Sequence, residues 1–383
     1  MQPSHPFRRL SHIGDMPVET FVRDYWQKKP LLVRNALPNF KSPVTADELA
    51  GYAVDDDVVS RLVVENPSNN EWSVHHGPIP EESFADLPAS HWSLLVQHAD
   101  LLDPEINALL DAFRFIPSWR LDDIMVSYAT DQGGVGPHFD YYDVFLLQAE
   151  GKRRWRIGQS CSHESPLVPG VDMRILRDFE TEHDWVVEPG DLLYIPPNVA
   201  HWGQAEGECI TYSIGFRAPS YAEILLDFSE EMAAITNGDM RYSDADLQVQ
   251  RLAGEISLAS INKLHAIISR YTDNKTALAT WFGQYMTQLN PGGAQHFEEP
   301  DQQISALALE TQACALSPFA RCAFFEATDI CLLFINGHKW HCSRKLAIML
   351  SNYEAIEWRD LDKKDQYVLK HLADEGLMVT ANE

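Results

Sequence analysis

The spacing of apolar positions changes character along this chain, and each change predicts a different kind of structure. From Phe21 to Leu37 (FVRDYWQKKPLLVRNAL) the first half has helical spacing with aromatic anchors. Pro30 ends that helix, since it has no N–H to donate, and Leu31-Leu32-Val33 reads as a strand. Thr45-Ala46-Asp47-Glu48 has the spacing of a capping box, in which hydroxyl and carboxylate each take an orphan N–H, so a short helix starts there. Val58 to Glu65 reads as a strand, while Trp92 to His98 and Asn107 to Phe113 read as pieces of amphipathic helix.

From Ile124 the period shortens. Ile124 to Thr130 (IMVSYAT) is a strand and Asp131 to Pro137 (DQGGVGP) a turn. Val144 to Gln148 and Arg153 to Ile157 flank Glu150-Gly151, which reads as a tight hairpin. Asp184 to Val187, Leu192 to Ile195, Ala200 to Trp202 and Ile210 to Phe216 add further strands. Short strands at this density, punctuated by Gly and Pro, predict an all-β barrel or jelly roll, whose mouth can bury a metal.

Pro219 marks a boundary. Beyond it Tyr221 to Ile235, Asp244 to Leu258, Ser260 to Tyr271 and Thr276 to Leu289 carry helical periodicity, and Asn290-Pro291-Gly292-Gly293 reads as a linker. These helices are too few for an independent core, which predicts that a second copy covers their apolar faces in a homodimer. From about Pro300 the pattern is that of a small α+β unit. Ile304 to Ala313, Arg344 to Leu350 and Asp365 to Asp374 read as helices, and Cys331 to His341 as a hairpin turning at Asn336-Gly337. Helices and a hairpin in this order suggest a winged-helix module. The expected fold class is α+β, with a β-barrel unit over 1–219, a helical segment over 220–290 and a winged-helix-like unit over 300–383.

Composition sharpens the picture in a few places. A chain of 383 residues exceeds one ordinary core. No apolar run approaches the ~18 residues of a membrane span, and Met1 to Gly14 lacks a signal peptide's apolar centre, so no membrane association is expected and the cytoplasm is the expected location. The six cysteines have no C-x-x-C pair and read as reduced, mostly buried thiols. The net charge of −26 repels nucleic acid and attracts basic partners, although solubility alone explains many acidic proteins. Lacking a basic stripe, the C-terminal unit is expected to contact protein rather than DNA.

The candidate chemistry lies between Ile124 and Trp202. His138 and Asp140 are two apart on a strand, so they project to one face. His201 follows Gly190-Asp191-Leu192-Leu193-Tyr194-Ile195-Pro196-Pro197, where Gly-Asp turns a strand and the prolines fix the approach to the histidine. Two imidazoles and a carboxylate form the facial triad of non-haem Fe(II), with coordination positions left open. Zinc accepts the same donors. Arg153 favours iron: a keto acid supplying electrons to an Fe(II) oxygenase needs a fixed cation for its far carboxylate, and arginine's planar fork binds carboxylate bidentately. Alternation puts Arg153 and Trp155 on one face, with Lys152, Arg154 and Arg156 on the other. Adjacent His75 and His76 face opposite ways and read as surface or packing residues, and His338, His341 and Cys342 as packing rather than a zinc site.

His138-Phe139-Asp140, Lys152-Arg153-Arg154-Trp155, GDLLYIP from Gly190 to Pro196 and His201 together resemble the Jumonji C (JmjC) oxygenases of the cupin superfamily. YWQKKPLLVR from Tyr25 to Arg34 resembles the segment preceding that domain. GVGPHFDYYDVF from Gly134 to Phe145, followed by helices and a winged-helix-like tail, is similar to the bacterial ribosomal oxygenases, which hydroxylate an arginine of large-subunit ribosomal protein sixteen. The resemblance implies a double-stranded β-helix over 1–219, His138, Asp140 and His201 as iron ligands, and Arg153 as partner of the 2-oxoglutarate far carboxylate, where many relatives carry lysine. It implies that the hydroxyl of Ser127 holds the same carboxylate. The implied reaction uses Fe(II), 2-oxoglutarate and O2, yields succinate and carbon dioxide, and 3-hydroxylates an arginine of that basic ribosomal protein. Asp123, Tyr141, Tyr142 and Asp143 are near enough in sequence to line the substrate mouth. Two other functions fit the same chain. A lysine demethylase would remove a methylene where a hydroxylase adds an oxygen, and a silent ribosome-docking module would never consume 2-oxoglutarate.

Overall fold

The computed structural model describes residues 9–66, 68, 71–289, 303–328 and 330–381. Two short strands, β1 (His12–Ile13) and β2 (Met16–Pro17), lead into helix α1 (Val18–Asp24). The ring of Phe21 on α1 is fully buried, with Phe145 at 5.3 Å and Tyr194 at 4.9 Å between ring centres. Strand β3 (Leu31–Val33) follows Pro30 as the pattern requires. Helix α2 (Ala46–Val54) begins on the complete capping box, Thr45 accepting from Glu48 N and Glu48 from Thr45 N. After β4 (Ser60–Asn66), β5 (Glu71–His76) and the short helix α3 (Glu81–Ala85) comes β6 (Trp92–Val96). The helical reading of Trp92 to His98 is thus corrected. Ser93, Leu94, Leu95 and Val96 are all buried, and a strand covered on both faces shows no alternation to read.

Helix α4 (Pro104–Leu109) runs into a 3-10 turn ending at Phe113, and β7 (Leu121–Ala129) opens the central sheet. Strands β8 (Val144–Ser160), β9 (Thr181–Val187), β10 (Leu192–Ile195) and β11 (Val199–Phe216) complete it. Nine of the described strands form one sheet, in the order β3-β10-β8-β11-β7-β6-β4-β5, with β9 on the other half of β8. The expected hairpin at Glu150-Gly151 is absent. β8 runs straight through it, and the two segments expected at Ala200 to Trp202 and Ile210 to Phe216 are likewise one strand, β11. Gly151 takes a positive φ of 64°, and opposite it the register of β11 slips between Glu206 and Ile210, around Gly207 at φ 79°. Two long strands therefore bend together at one bulged point, so glycine's backbone freedom serves a bulge instead of a reversal.

The bend divides the packing. One face of the first half of β8 (Phe145, Leu147, Ala149) joins Tyr194, Tyr212, Ile214 and Phe216 in the large core shared with α1 and α2. The other face (Val144, Leu146) packs with Trp155 and Ile157 from the second half, and it borders a cavity.

Beyond Pro219 lie α5 (Tyr221–Ile235), α6 (Leu258–Thr272) and α7 (Lys275–Thr287). Asp244 to Leu258 is not helical: residues 243–257 are irregular and α6 starts only after Ser257 caps it. The linker read at Asn290 to Gly293 and the boundary at Pro300 lie outside the described residues. The C-terminal unit comprises β12 (Cys314–Leu316), β13 (Cys322–Ala327), β14 (Ile330–Ile335), β15 (His338–His341), α8 (Arg344–Ser351), α9 (Lys363–Asp374) and β16 (Met378–Thr380). Asn336 and Gly337 both have positive φ, as the β14–β15 turn demands. The helix expected over Ile304 to Ala313 is only a 3-10 turn at Ala308–Glu310, because this stretch gives up helical bonds to pair with β16: Ile304 N donates to Met378 O at 3.1 Å. This unit has its own core around Leu333, Leu346, Leu369 and Met378. No helix among the described residues is long and apolar enough to cross a membrane.

Candidate active site and metal centre

The glycine turn before β8 brings the distant histidines together. His138 N donates to His201 O at 3.0 Å and His201 N to His138 O at 2.8 Å, so the two residues form a small antiparallel bridge. Their ring centres are 4.2 Å apart. Asn198 N donates to the Asp140 carbonyl at 2.7 Å, which pins the backbone of the carboxylate. One donor atom each from His138, Asp140 and His201 lies within 4.8 Å of the others, the only such cluster among the described residues. The Asp140 Oδ2 to His201 Nε2 distance is 3.5 Å.

Tautomers follow from the second nitrogen. His138 Nδ1 is 3.0 Å from Gly136 O, and His201 Nδ1 is 3.0 Å from Val199 O. A carbonyl only accepts, so each Nδ1 carries the proton and each Nε2 keeps a lone pair for a cation. Burial, reinforced by the neighbouring His138, pushes the His201 imidazole down to about 4, so it is neutral near pH 7 and available as a ligand. Three such donors on one wall, open on the cavity side, fit a divalent metal with free coordination positions.

The cavity beside them holds about 540 Å³ and is lined by His138, Asp140, His201, Ser127 and Arg153 together. All five expected site residues therefore meet at one place. Arg153 is only 3% exposed, and burial lowers its pKa, against the opposing effect of nearby Cys209. Its Nε and Nη1 have no hydrogen-bond partner among the described residues, and Nη2 reaches only Gly203 O, at 3.4 Å. The guanidinium lies over the Trp155 ring, 5.0 Å from its centre, and with no carboxylate paired to it among the described residues this buried cation is a cradle for an anion. Gly203 makes the space: a Cβ there would lie 2.7 Å from Arg153 Nε and from the Trp155 ring. Ser127 is buried, and its Oγ is 3.4 Å from Thr211 O, too long to commit the hydroxyl. Lys152 is exposed and Arg154 and Arg156 are part-exposed, as alternation required.

Asp123, Tyr141 and Tyr142 line the cavity, but Asp143 does not. It is fully buried in the core, taking the Tyr194 hydroxyl at 2.6 Å, Gln27 Nε2 at 2.9 Å and Arg120 Nη2 at 3.2 Å. These three distant donors, not strand alternation, hold its carboxylate in the core, since the consecutive residues His138 to Tyr142 all line the cavity. His75 and His76 are exposed, and His338 and His341 stay at the surface apart from the cavity. Sequence reasoning missed Arg61, Ser93 and Arg174, which enter the cavity from β4, β6 and the segment between β8 and β9. Arg174 forms part of the rim, its guanidinium 4.9 Å from the Phe139 ring centre and its Nη2 donating to the Tyr141 hydroxyl at 2.9 Å. No local motif marks them, because only long-range pairing brings them there.

Comparison with known proteins agrees with this geometry. The JmjC domain profile matches residues 108–224, and that of the AraC-like ligand binding domain matches residues 179–272. The chain is 37% identical over 268 residues to the ribosomal protein uL16 3-hydroxylase of Escherichia coli K12, covering 70% of each. It is 33% identical over 359 residues to a probable ribosomal oxygenase of Haemophilus influenzae, covering 89% of this chain and 87% of that one. Its fold matches the E. coli ribosomal oxygenase YcfD in complex with cobalt and 2-oxoglutarate with a TM-score of 0.81 at 29% identity, over 96% of this chain and 99% of that one. With the cupin-like sheet, the triad and the bare guanidinium in one cavity, the chain belongs to the JmjC-domain ribosomal oxygenases.

Proposed function

We propose that this protein is an Fe(II)- and 2-oxoglutarate-dependent hydroxylase acting on an arginine of ribosomal protein uL16 at its C3 position. The observation that carries the reading is a metal-ready triad and an unpartnered buried guanidinium facing one cavity. His138, Asp140 and His201 hold the metal, and their backbone bonds fix the ring orientations before it binds. Arg153 takes the far carboxylate of 2-oxoglutarate bidentately and Ser127 adds a hydroxyl. With iron and 2-oxoglutarate bound, one oxygen atom of O2 leaves in succinate, alongside carbon dioxide, and the other is inserted into a substrate C–H bond. The protein positions the reactants and excludes water from the cavity. The charge of −26 steers a basic ribosomal protein toward this surface.

Two features of the architecture support finer parts of the reading. Leu225, Leu226, Leu258 and Ile268 on α5 and α6 are exposed, an apolar surface that supports a homodimer through the helical segment. The β13–β15 sheet with α8 and α9 supports a winged-helix-like C-terminal unit. Incubation with Fe(II), 2-oxoglutarate and uL16 should add one oxygen by mass spectrometry. A mass gain that persists in His138→Ala or Asp140→Ala protein, or no gain with any basic ribosomal protein, overturns the assignment.

A further inference from the structure

We infer that Ser93 is a third anchor of the 2-oxoglutarate far carboxylate, donating its hydroxyl beside Arg153 and Ser127. The inference rests on the reading of Arg153 as that anchor. Ser93 is 0% exposed, and its Oγ has no hydrogen-bond partner among the described residues. A buried hydroxyl without a partner is destabilising and calls for a ligand. It lines the same cavity as Arg153 and Ser127.

Sheet register explains how it gets there. Ser93 on β6 stands opposite Ala129 on β7, which stands opposite Cys209 on β11. Leu95 stands opposite Ser127, so Ser93 and Ser127 point to the same face one pair apart. The residues between are small: Ala129, Ala205 and Cys209 form one buried cluster, and Ala205 is the register partner of Arg153. The glycine turn closes this corner. A Cβ on Gly133 would clash with Trp92 O and one on Gly134 with Gly203 O, so the turn wedges between the ends of β6 and β11. Ser93 follows Trp92 directly, and Gly203 touches the Arg153 guanidinium. Ser93 and Arg153 therefore meet at the same end of the cavity, over a floor of small side chains.

The neighbouring hydroxyl of Thr211 is committed, donating to Gln148 Oε1 at 3.0 Å. Ser93 Oγ, with no hydrogen bond at all among the described residues, keeps its proton free, as Ser127 does apart from its long 3.4 Å contact. Arg153 and Ser93 together offer unspent donors that suit a carboxylate.

The test is calorimetric titration of Mn(II)-loaded protein under nitrogen, with 2-oxoglutarate and with 2-oxobutyrate, which keeps the chelating end and lacks the far carboxylate. Ser93→Ala is expected to weaken 2-oxoglutarate about tenfold, the loss of one charge-assisted hydrogen bond, and to leave 2-oxobutyrate unchanged. Its melting temperature without ligand should hold or rise, because an unmet buried hydroxyl is removed. In turnover the KM for 2-oxoglutarate should rise with kcat held. Unchanged 2-oxoglutarate affinity in Ser93→Ala, while Arg153→Met weakens it, overturns the role of Ser93 alone. Equal weakening of both ligands also overturns it, since that marks a packing defect. Unchanged affinity in Arg153→Met removes the anchor reading itself and this inference with it.

Discussion

Arg153→Met separates stability from function in a way few substitutions do. The guanidinium is buried over the Trp155 ring and near Cys209. Two of its nitrogens have no hydrogen-bond partner among the described residues and the third makes one long bond. No carboxylate among those residues pairs with it, so the ligand-free protein carries a charge only partly compensated. Replacing buried charge by an apolar chain of similar length is neutral to stabilising by about 1–4 kcal/mol. At about 2–4 °C per kcal/mol, the ligand-free variant should melt at or several degrees above the parent. Binding should move the other way. Removing one partner of a buried charge pair costs about 2–5 kcal/mol, at least a ~30-fold loss of affinity. At 2-oxoglutarate about 100 times its dissociation constant, the parent gains about 2.7 kcal/mol from ligand. A ~30-fold weaker variant at the same concentration gains only about 0.9 kcal/mol. Urea or thermal melts of Mn(II)-loaded protein, with and without 2-oxoglutarate, read both effects in one experiment. A ligand-free variant destabilised by more than about 1 kcal/mol would show that the guanidinium already has a structural partner. An undiminished ligand-induced shift would refute Arg153 as the carboxylate anchor.

Gly203→Ala places a Cβ 2.7 Å from both Arg153 Nε and the Trp155 ring, so 2-oxoglutarate affinity should fall with a stability loss of about 1–3 kcal/mol, checked by the same titration and melts. Asp191 accepts from Arg34 Nη1 at 2.6 Å, Asn35 N at 2.8 Å and Glu188 N at 3.0 Å, so Asp191→Ala removes a buried carboxylate that ties three part-buried donors together and should lower stability by about 1–3 kcal/mol in urea unfolding. Asp100 is buried, and burial together with nearby Asp123 pushes its carboxyl up to about 7. Between the ordinary carboxylate range and about 7 the native state holds a proton that the unfolded state has lost, so this contribution to stability fades as pH rises through that window. Asp100→Asn keeps an acceptor for Ile124 N–H and should flatten the fall in urea midpoint between pH 5 and pH 8; an unchanged slope would show that another group titrates.

The chemistry was legible in sequence where its residues are local or carry their own geometry. The capping box at Thr45 and Glu48 formed as spaced and Asn336-Gly337 turned its hairpin, whereas His138 and Asp140 reach one site from a loop with an isolated bridge at His138 and not from the strand expected there. The alternation that sent Arg153 inward and its basic neighbours outward held as well. Two patterns lost to tertiary packing: Trp92 to Val96 lacks alternation because both faces are covered, and Gly151 became a bulge because a neighbouring strand bends with it. Asp244 to Leu258 failed for the opposite reason: its helical pattern is exposed along nearly its whole length, so no packing stabilises a helix there. Asp143 left the expected mouth for the core because Tyr194, Gln27 and Arg120, far away in sequence, hold its carboxylate there. The union of His138 with His201, and of Ser93, Ser127 and Arg153, depends on register between strands far apart in the chain. Sequence determines which side chains can bind a metal or a carboxylate, through their chemistry and local period. Only the paired and bent strands decide which of them share a cavity, because that depends on backbone hydrogen bonds between segments whose spacing along the chain carries no trace of the pairing.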